Sequence, residues 1–328
     1  MARRARSKGS RSAGIFLFLL GLFVGAGILY LFMKPSGGER VSAEPPPAAA
    51  PVEAVPHEGP RAARTPRHRP APAVLAADHV EPGTPATSGT TPVVETLPPP
   101  SGPLHGVRVA LVIDDLGHDV DDLRPLAALG VPVTYSVLPF EEETPQVVAE
   151  LRRRHAEILL HLPMEPVHGQ NPGPGALLQG MSDGELREKT EAALKAVPGA
   201  AGVNNHMGSL LSSEEGPMNA VLGVLAERGL FFLDSRTSAE SVAYKVALGL
   251  GVPAAERQVF LDGDPSAAAI HTQFQRLLNL ARTKGAAIAI GHPHPETLAA
   301  LTREVPKAKA AGYEFVPVSY LLTRAGGE

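Results

Sequence analysis

The chain has 328 residues, 44% of them apolar and 20% charged, enough for one large domain or two ordinary ones with a core of normal size. It contains no cysteine, which excludes disulfide scaffolds, thiolate metal sites and cysteine nucleophiles. A formal net charge of −4 argues against nucleic acid as a partner, since that binding needs a basic excess.

Residues 1–12 read as a basic tail, with Arg3, Arg4, Arg6, Lys8 and Arg11 and no acid. Residues 13–33, AGIFLFLLGLFVGAGILYLFM, carry no charge. About 20 apolar residues in a helix cross a bilayer core, and a single segment there must satisfy its backbone internally. The run is longer than the apolar core of a cleaved signal, and Lys34-Pro35 follows in place of a small-residue cleavage site. The reading is therefore a single-pass anchor in an inner membrane, with the lipid bilayer as partner of residues 13–33. The basic flank predicts a cytoplasmic N-terminus and a periplasmic or otherwise extracytoplasmic folded part. Residues 34–103 read as a disordered Pro/Ala-rich linker: 17 prolines fall between Pro35 and Pro103, with no sustained apolar period.

Residues 104–325 read as the folded domain. Strands are expected at 107–113, 131–138, 157–161, 229–234, 257–262, 286–291 and 314–319, with a weaker one at 202–206. Between them, amphipathic periods predict helices at 120–129, 144–155, 182–197, 215–228, 239–250, 265–284 and 295–310. Ser182 and Glu185 have capping-box spacing, and Gly130, Gly229, Gly285 and Gly312 stand where helices end. Strand–helix alternation of this length means a parallel α/β sheet, either closed as a barrel or open.

Acids and imidazoles end these strands: Asp114-Asp115, His161, His206, Asp234, Asp262 and His292. In parallel α/β folds that edge is where substrates bind. Taken singly, the two aspartates serve equally well as a helix cap and a solvated acid, and His161 or His206 as a core or loop residue. The Gly291–Pro295 segment, with His292 and His294, serves equally well as a rigid turn. Together, Asp115, His161 and His206 make a carboxylate and two imidazoles with open positions, a set suited to Zn²⁺ or to Co²⁺, Fe²⁺ or Ni²⁺. A cation on one aspartate leaves the other free as a general base, and a histidine of the His292/His294 pair can protonate a leaving group. His118, His168 and His271 read as surface residues. The chain has no G-x-S-x-G elbow, phosphate loop or dinucleotide fingerprint.

Six ordered blocks, VALVIDDLG (109–117), VTYSVLPF (133–140), EILLHLPMEP (157–166), GVNNHMGS (202–209), FFLDSRTS (231–238) and AIGHPHPET (289–297), resemble the divergent polysaccharide deacetylase family. That family belongs to the carbohydrate esterase group with the NodB-homology domain. The resemblance runs from about Val107 to Leu322. It implies a distorted (β/α) barrel of seven or eight strands and metal-dependent removal of acetyl groups from an envelope glycan or related saccharide. By position it makes Asp114 the catalytic base, Asp115 the metal-binding acid, His161 the first histidine ligand and His292 the histidine assisting the leaving group. The wider group has a second histidine four residues after the first; Glu165 stands there here, and the group's Arg-x-Pro-Tyr motif is missing. Either His206 or Glu165 then completes the metal set. Glu165, Asn205, Asp234, Arg236 and His294 are the further candidates for binding or orienting a substrate. These departures carry a rival expectation, a catalytically inactive barrel that binds glycan or acts as an envelope scaffold. A third is an amidase or esterase for a smaller acylated molecule.

Overall fold

A computed structural model describes residues 106–324. The expected tail, anchor and linker (1–12, 13–33 and 34–103) lie outside the described residues. Among the described residues no helix is long and apolar enough to cross a membrane.

The described residues form nine strands: β1 Arg108–Leu116, β2 Thr134–Val137, β3 Glu157–Met164, β4 Gly202–Met207, β5 Phe231–Asp234, β6 Ala254–Glu256, β7 Val259–Phe260, β8 Ala286–Gly291 and β9 Glu314–Phe315. The helices are α1 Leu123–Ala127, α2 Thr144–Arg153, α3 Asp183–Ala196, α4 Glu215–Arg228, α5 Ala243–Gly249, α6 Ala267–Lys284 and α7 Pro295–Ala310. All strand pairs are parallel, in the order β6-β5-β4-β3-β2-β1-β8-β7, with β9 on β1. The end strands β6 and β7 are consecutive in the chain, separated only by Arg257 and Gln258, so the sheet is curled rather than flat, although no ladder joins the two. Just before β7 the Gln258 side chain extends the pairing with β8 in place of a peptide: its Oε1 accepts from Ile288 N at 2.7 Å while its own backbone N donates to Ile288 O at 3.1 Å.

Side chains alternate across each strand, and the curled sheet therefore has two apolar clusters. Leu111, Ile113, Leu160, Leu162, Val203, Phe232 and Ala289 face outward into a large core shared with the helices. Ala110, Val112, Leu159, Phe231, Leu233, Phe260, Ile288 and Ile290 face inward and pack on one another. Val318, in a 3-10 turn that follows β9, packs onto the inner cluster together with Leu321 and Leu322.

Local signals act as expected at several ends. Ser182 and Glu185 make the reciprocal capping box of α3, and Gly229 and Gly285 end α4 and α6 at φ 66° and 84°. Other boundaries differ. The expected helix 120–129 is a 3-10 turn, Val120–Asp122, leading into the short α1. Helix 239–250 shortens to α5 because the Asp234 carboxylate accepts from Ser241 Oγ at 2.7 Å and from Tyr244 N at 3.3 Å, holding the preceding residues as a loop. Strand 314–319 stops at Phe315, before Pro317, and the chain then turns inward at Val318. The expected strand 257–262 keeps only Val259–Phe260, and β6 is an additional strand whose three residues are too few to show a period. Strand β3 continues past His161 through Pro163. There it pairs with β4 on one side; on the other, β2 has ended opposite Leu160 and only Leu177 bridges to Met164, so a proline is tolerated beside that short contact.

Candidate functional site

The inner face becomes polar at the carboxyl ends of the strands. Inward parity along each strand brings Asp114, Ser136, His161, Asn204, His206 and Asp262 to one pit, with His292 just past β8. Parity alone would send Asp115 outward. A register irregularity between Ile113 and Leu116 lies at this point, and Asp115 adopts φ 59°, so that both neighbouring carboxylates serve the pit. Met207 and Arg236, just past the site-bearing part of β4 and past β5, stand at φ 50° and 51°. Non-glycine residues rarely adopt this region, and such residues gather at functional sites.

Asp115 Oδ1 lies 3.1 Å from His161 Nε2 and 2.9 Å from His206 Nδ1, and those two nitrogens are 3.1 Å apart. Oδ1 is buried, and neither ring meets it with hydrogen-bond geometry, leaving it without a hydrogen-bond partner. Three donor atoms about 3 Å apart is the spacing of neighbouring ligands at about 2.0–2.2 Å from one ion. These residues form a group that could hold a metal ion. Burial works to raise the Asp115 pKa, but the imidazoles of His206 and His292 and the short contacts from His161 and His206 outweigh it. They hold the carboxyl well below the usual range. His161 is pulled down by burial and pushed up by Asp114, Asp115 and Asn204; the net shift is upward.

Asp114 is buried beside this group, its Oδ2 3.6 Å from His161 Nε2, and it accepts from Asn204 Nδ2 at 2.9 and 3.1 Å. On the other flank, His292 Nε2 lies 3.8 Å from Asp115 Oδ2. His292 Nδ1 is 3.0 Å from Asp262 Oδ1, its backbone N donates to Asp262 Oδ2 at 2.7 Å, and Thr297 Oγ1 donates to the same oxygen at 2.7 Å. Burial would lower the His292 pKa; Asp115, Asp262 and Asp114 push it up to about 10. Asp262 is raised by burial but brought below its ordinary value by His292 and Thr297.

The family model described as divergent polysaccharide deacetylase matches residues 111–322, nearly all of the folded part. This chain belongs to that family. It is 37% identical over 205 residues to the uncharacterized protein YibQ of Escherichia coli K12, covering 62% of this chain and 64% of YibQ. The chain thus spans just under two thirds of that relative's length. An uncharacterized protein of Haemophilus influenzae is 36% identical over 194 residues, 59% of this chain and 69% of that one. Among solved structures, the uncharacterized protein ATU2773 from Agrobacterium tumefaciens C58 superposes with a TM-score of 0.62 at 30% identity, covering 68% of this chain and 92% of that one.

Within this family member the expected site residues divide. Asp114, Asp115, His161, His206 and His292 come together as described, and His294 stacks on His292 with ring centroids 5.6 Å apart. The remaining candidates do not join them. The Glu165 carboxylate accepts from Gln179 N and is not part of the Asp115, His161 and His206 group. Asn205 has the opposite parity from His206; it accepts from Ser235 N at 2.9 Å and donates to Met207 O at 2.8 Å, tying β4 to the loop after β5. Asp234 shares outward parity with Phe232 and holds Arg236 N, Ser241 and Tyr244. The Arg236 guanidinium binds Ser241 O at 3.1 Å and Ala239 O at 3.3 Å and pairs with Glu256. His292 is oriented by Asp262, not by Asp234 or Arg236. Asp262 stands in the sequence as a strand ending without a role, and Asn204 and Ser136 carry no sequence signal of their own, although Asn204 lies two residues before His206, a spacing that puts both on one face of the strand.

Proposed function

We propose that this protein is a membrane-anchored, metal-dependent hydrolase that removes acetyl groups from an envelope polysaccharide or related acylated sugar. The observation that carries the reading is the triangle of Asp115 Oδ1, His161 Nε2 and His206 Nδ1, flanked by Asp114 on one side and the His292–Asp262 pair on the other. Two imidazoles and one carboxylate suit Zn²⁺, with Co²⁺, Fe²⁺ or Ni²⁺ as substitutes. An ion held there supplies Lewis acidity toward the acetyl carbonyl and acidifies a water.

The chain's own residues then divide the proton transfers. Asp114, an acceptor held in place beside the triangle, takes a proton from the attacking water. His292, kept cationic by Asp262 and Asp115, returns a proton to the departing sugar amine or alkoxide. Asp262 fixes the His292 ring through Nδ1, so that Nε2 faces the reacting group.

The test is metal analysis of the purified full chain followed by acetate release from N- and O-acetylated glycans. Bound metal, with acetate release abolished in Asp114→Asn, supports the reading. Glycan binding without turnover, unaffected by Asp114→Asn, replaces it with an inactive binding or scaffold module, and turnover of small acyl substrates alone replaces the glycan. The proposed anchor at residues 13–33 places the N-terminus in the cytoplasm and the folded domain in the periplasm. Protease cleavage of the domain in spheroplasts tests that placement, and protection of the domain would overturn it.

A further inference from the structure

We infer that Asn204 is a positioning residue that couples the base to the metal-binding histidine through one amide. The inference rests on the reading of the site just given. Asn204 is completely buried, and so is Ser136. Asn204 Nδ2 donates to both oxygens of Asp114, at 2.9 and 3.1 Å, and to Ser235 Oγ at 3.3 Å. Asn204 Oδ1 accepts from Ser136 Oγ and faces His161 Nδ1 at 2.9 Å.

The direction of this chain is set by chemistry. An ionised carboxylate only accepts, so Asp114 admits the amide solely with its NH₂ turned inward. A flipped amide would oppose two oxygens and put NH₂ against the Ser136 hydroxyl. With the amide so oriented, its oxygen requires a proton on His161 Nδ1. The neutral ring then carries its lone pair on Nε2, the atom 3.1 Å from Asp115 Oδ1. Asn204 and His161 are directly paired in the β3–β4 register, so the relay is fixed by backbone pairing as well as by side chains. A hydrogen-bond partner on the far nitrogen of a ligating histidine is worth about 10–100-fold in metal affinity.

Two substitutions separate the two ends of the amide. Asn204→Asp keeps an oxygen for His161 and replaces the donor to Asp114 with a like charge; Asn204→Leu removes both partners. The expected results are Zn²⁺ affinity at or above wild type for Asn204→Asp, with kcat at least about 10-fold lower and KM unchanged, and affinity about 10–100-fold lower for Asn204→Leu. Affinity in Asn204→Leu equal to wild type, measured by chelator competition, would overturn the inference. Should either variant fail to fold, the ¹⁵N shifts of the His161 imidazole in the wild-type chain, recorded with the ring neutral, decide the matter. A proton on Nδ1 supports the relay and a proton on Nε2 refutes it. That measurement needs neither metal nor substrate, so it stands even where acetate release fails and the proposed activity falls with it.

Discussion

Asp115 reaches His161 across the intervening strand β2, its Oδ1 3.1 Å from the imidazole Nε2, from a backbone held at φ 59°. Asparagine tolerates that backbone region about as well as aspartate. Asp115→Asn should therefore keep the fold, seen as an unchanged circular dichroism spectrum. Its metal affinity should drop by more than the ~10–100-fold typical of losing an outer hydrogen-bond partner. Chelator competition reads the effect, and wild-type affinity in this variant would remove Asp115 from the metal set.

His292 gives a pH signature. Burial pulls its pKa down, but the facing carboxylates of Asp115, Asp262 and Asp114 bring it up to about 10 in the folded, metal-free protein. Its unfolded value is about 6.5. Because the folded value is the higher one, the stabilisation is complete below pH ~6.5 and lost as pH rises through about 10. Melting curves of the metal-free chain should show a fall in Tm over that range, and Asp262→Asn should blunt the fall and shift it to lower pH.

As a proposed acid, His292 should matter to turnover more than to metal. His292→Ala is expected to lower kcat by about 10²–10⁴-fold, the usual contribution of a positioned acid or base. Metal content should stay at the wild-type level. Loss of metal in step with activity would instead make His292 a ligand.

Gly202 on β4 lies opposite Phe231 on β5, and a Cβ there would come within 2.6–2.7 Å of three atoms of the ring. The ring is buried and cannot swing clear. Gly202→Ala should destabilise the fold by about 1–3 kcal/mol, the range for overpacking a closed core. Denaturant titration measures it.

Asn205 and Asn204 are neighbours with different duties. Asn205→Ala strands the Ser235 N–H, which it now satisfies at 2.9 Å, and should cost about 1–3 kcal/mol in denaturant titration. Metal affinity should stay near wild type, whereas Asn204→Leu should lower it.

The buried runs and their chemical endings were legible from composition alone. VRVALVI, EILL and AAIAIG are continuous apolar stretches, and the acids and imidazoles that follow them mark the edge where parallel strands open. The family blocks carried the same reading further, to Asp114, Asp115, His161 and His292. What was not legible was which side of each strand faces in. A strand buried on both faces is apolar on both, so it shows no alternation from which parity could be read. For that reason the sequence points to Asn205 and gives Asp234 and Asp262 equal standing, whereas Asn204 and Asp262 are the ones that occupy the pit.

Sequence by itself thus determined the parallel α/β class, the family and the level along the strands at which the chemistry gathers, because local apolar runs and ordered motifs encode these directly. Only the tertiary structure brought His206, and not Glu165, beside Asp115 and His161, turned both aspartates into one pit and gave His292 its partner. Those outcomes depend on inter-strand register and on a single left-handed residue, which are properties of paired strands and are written in no one segment.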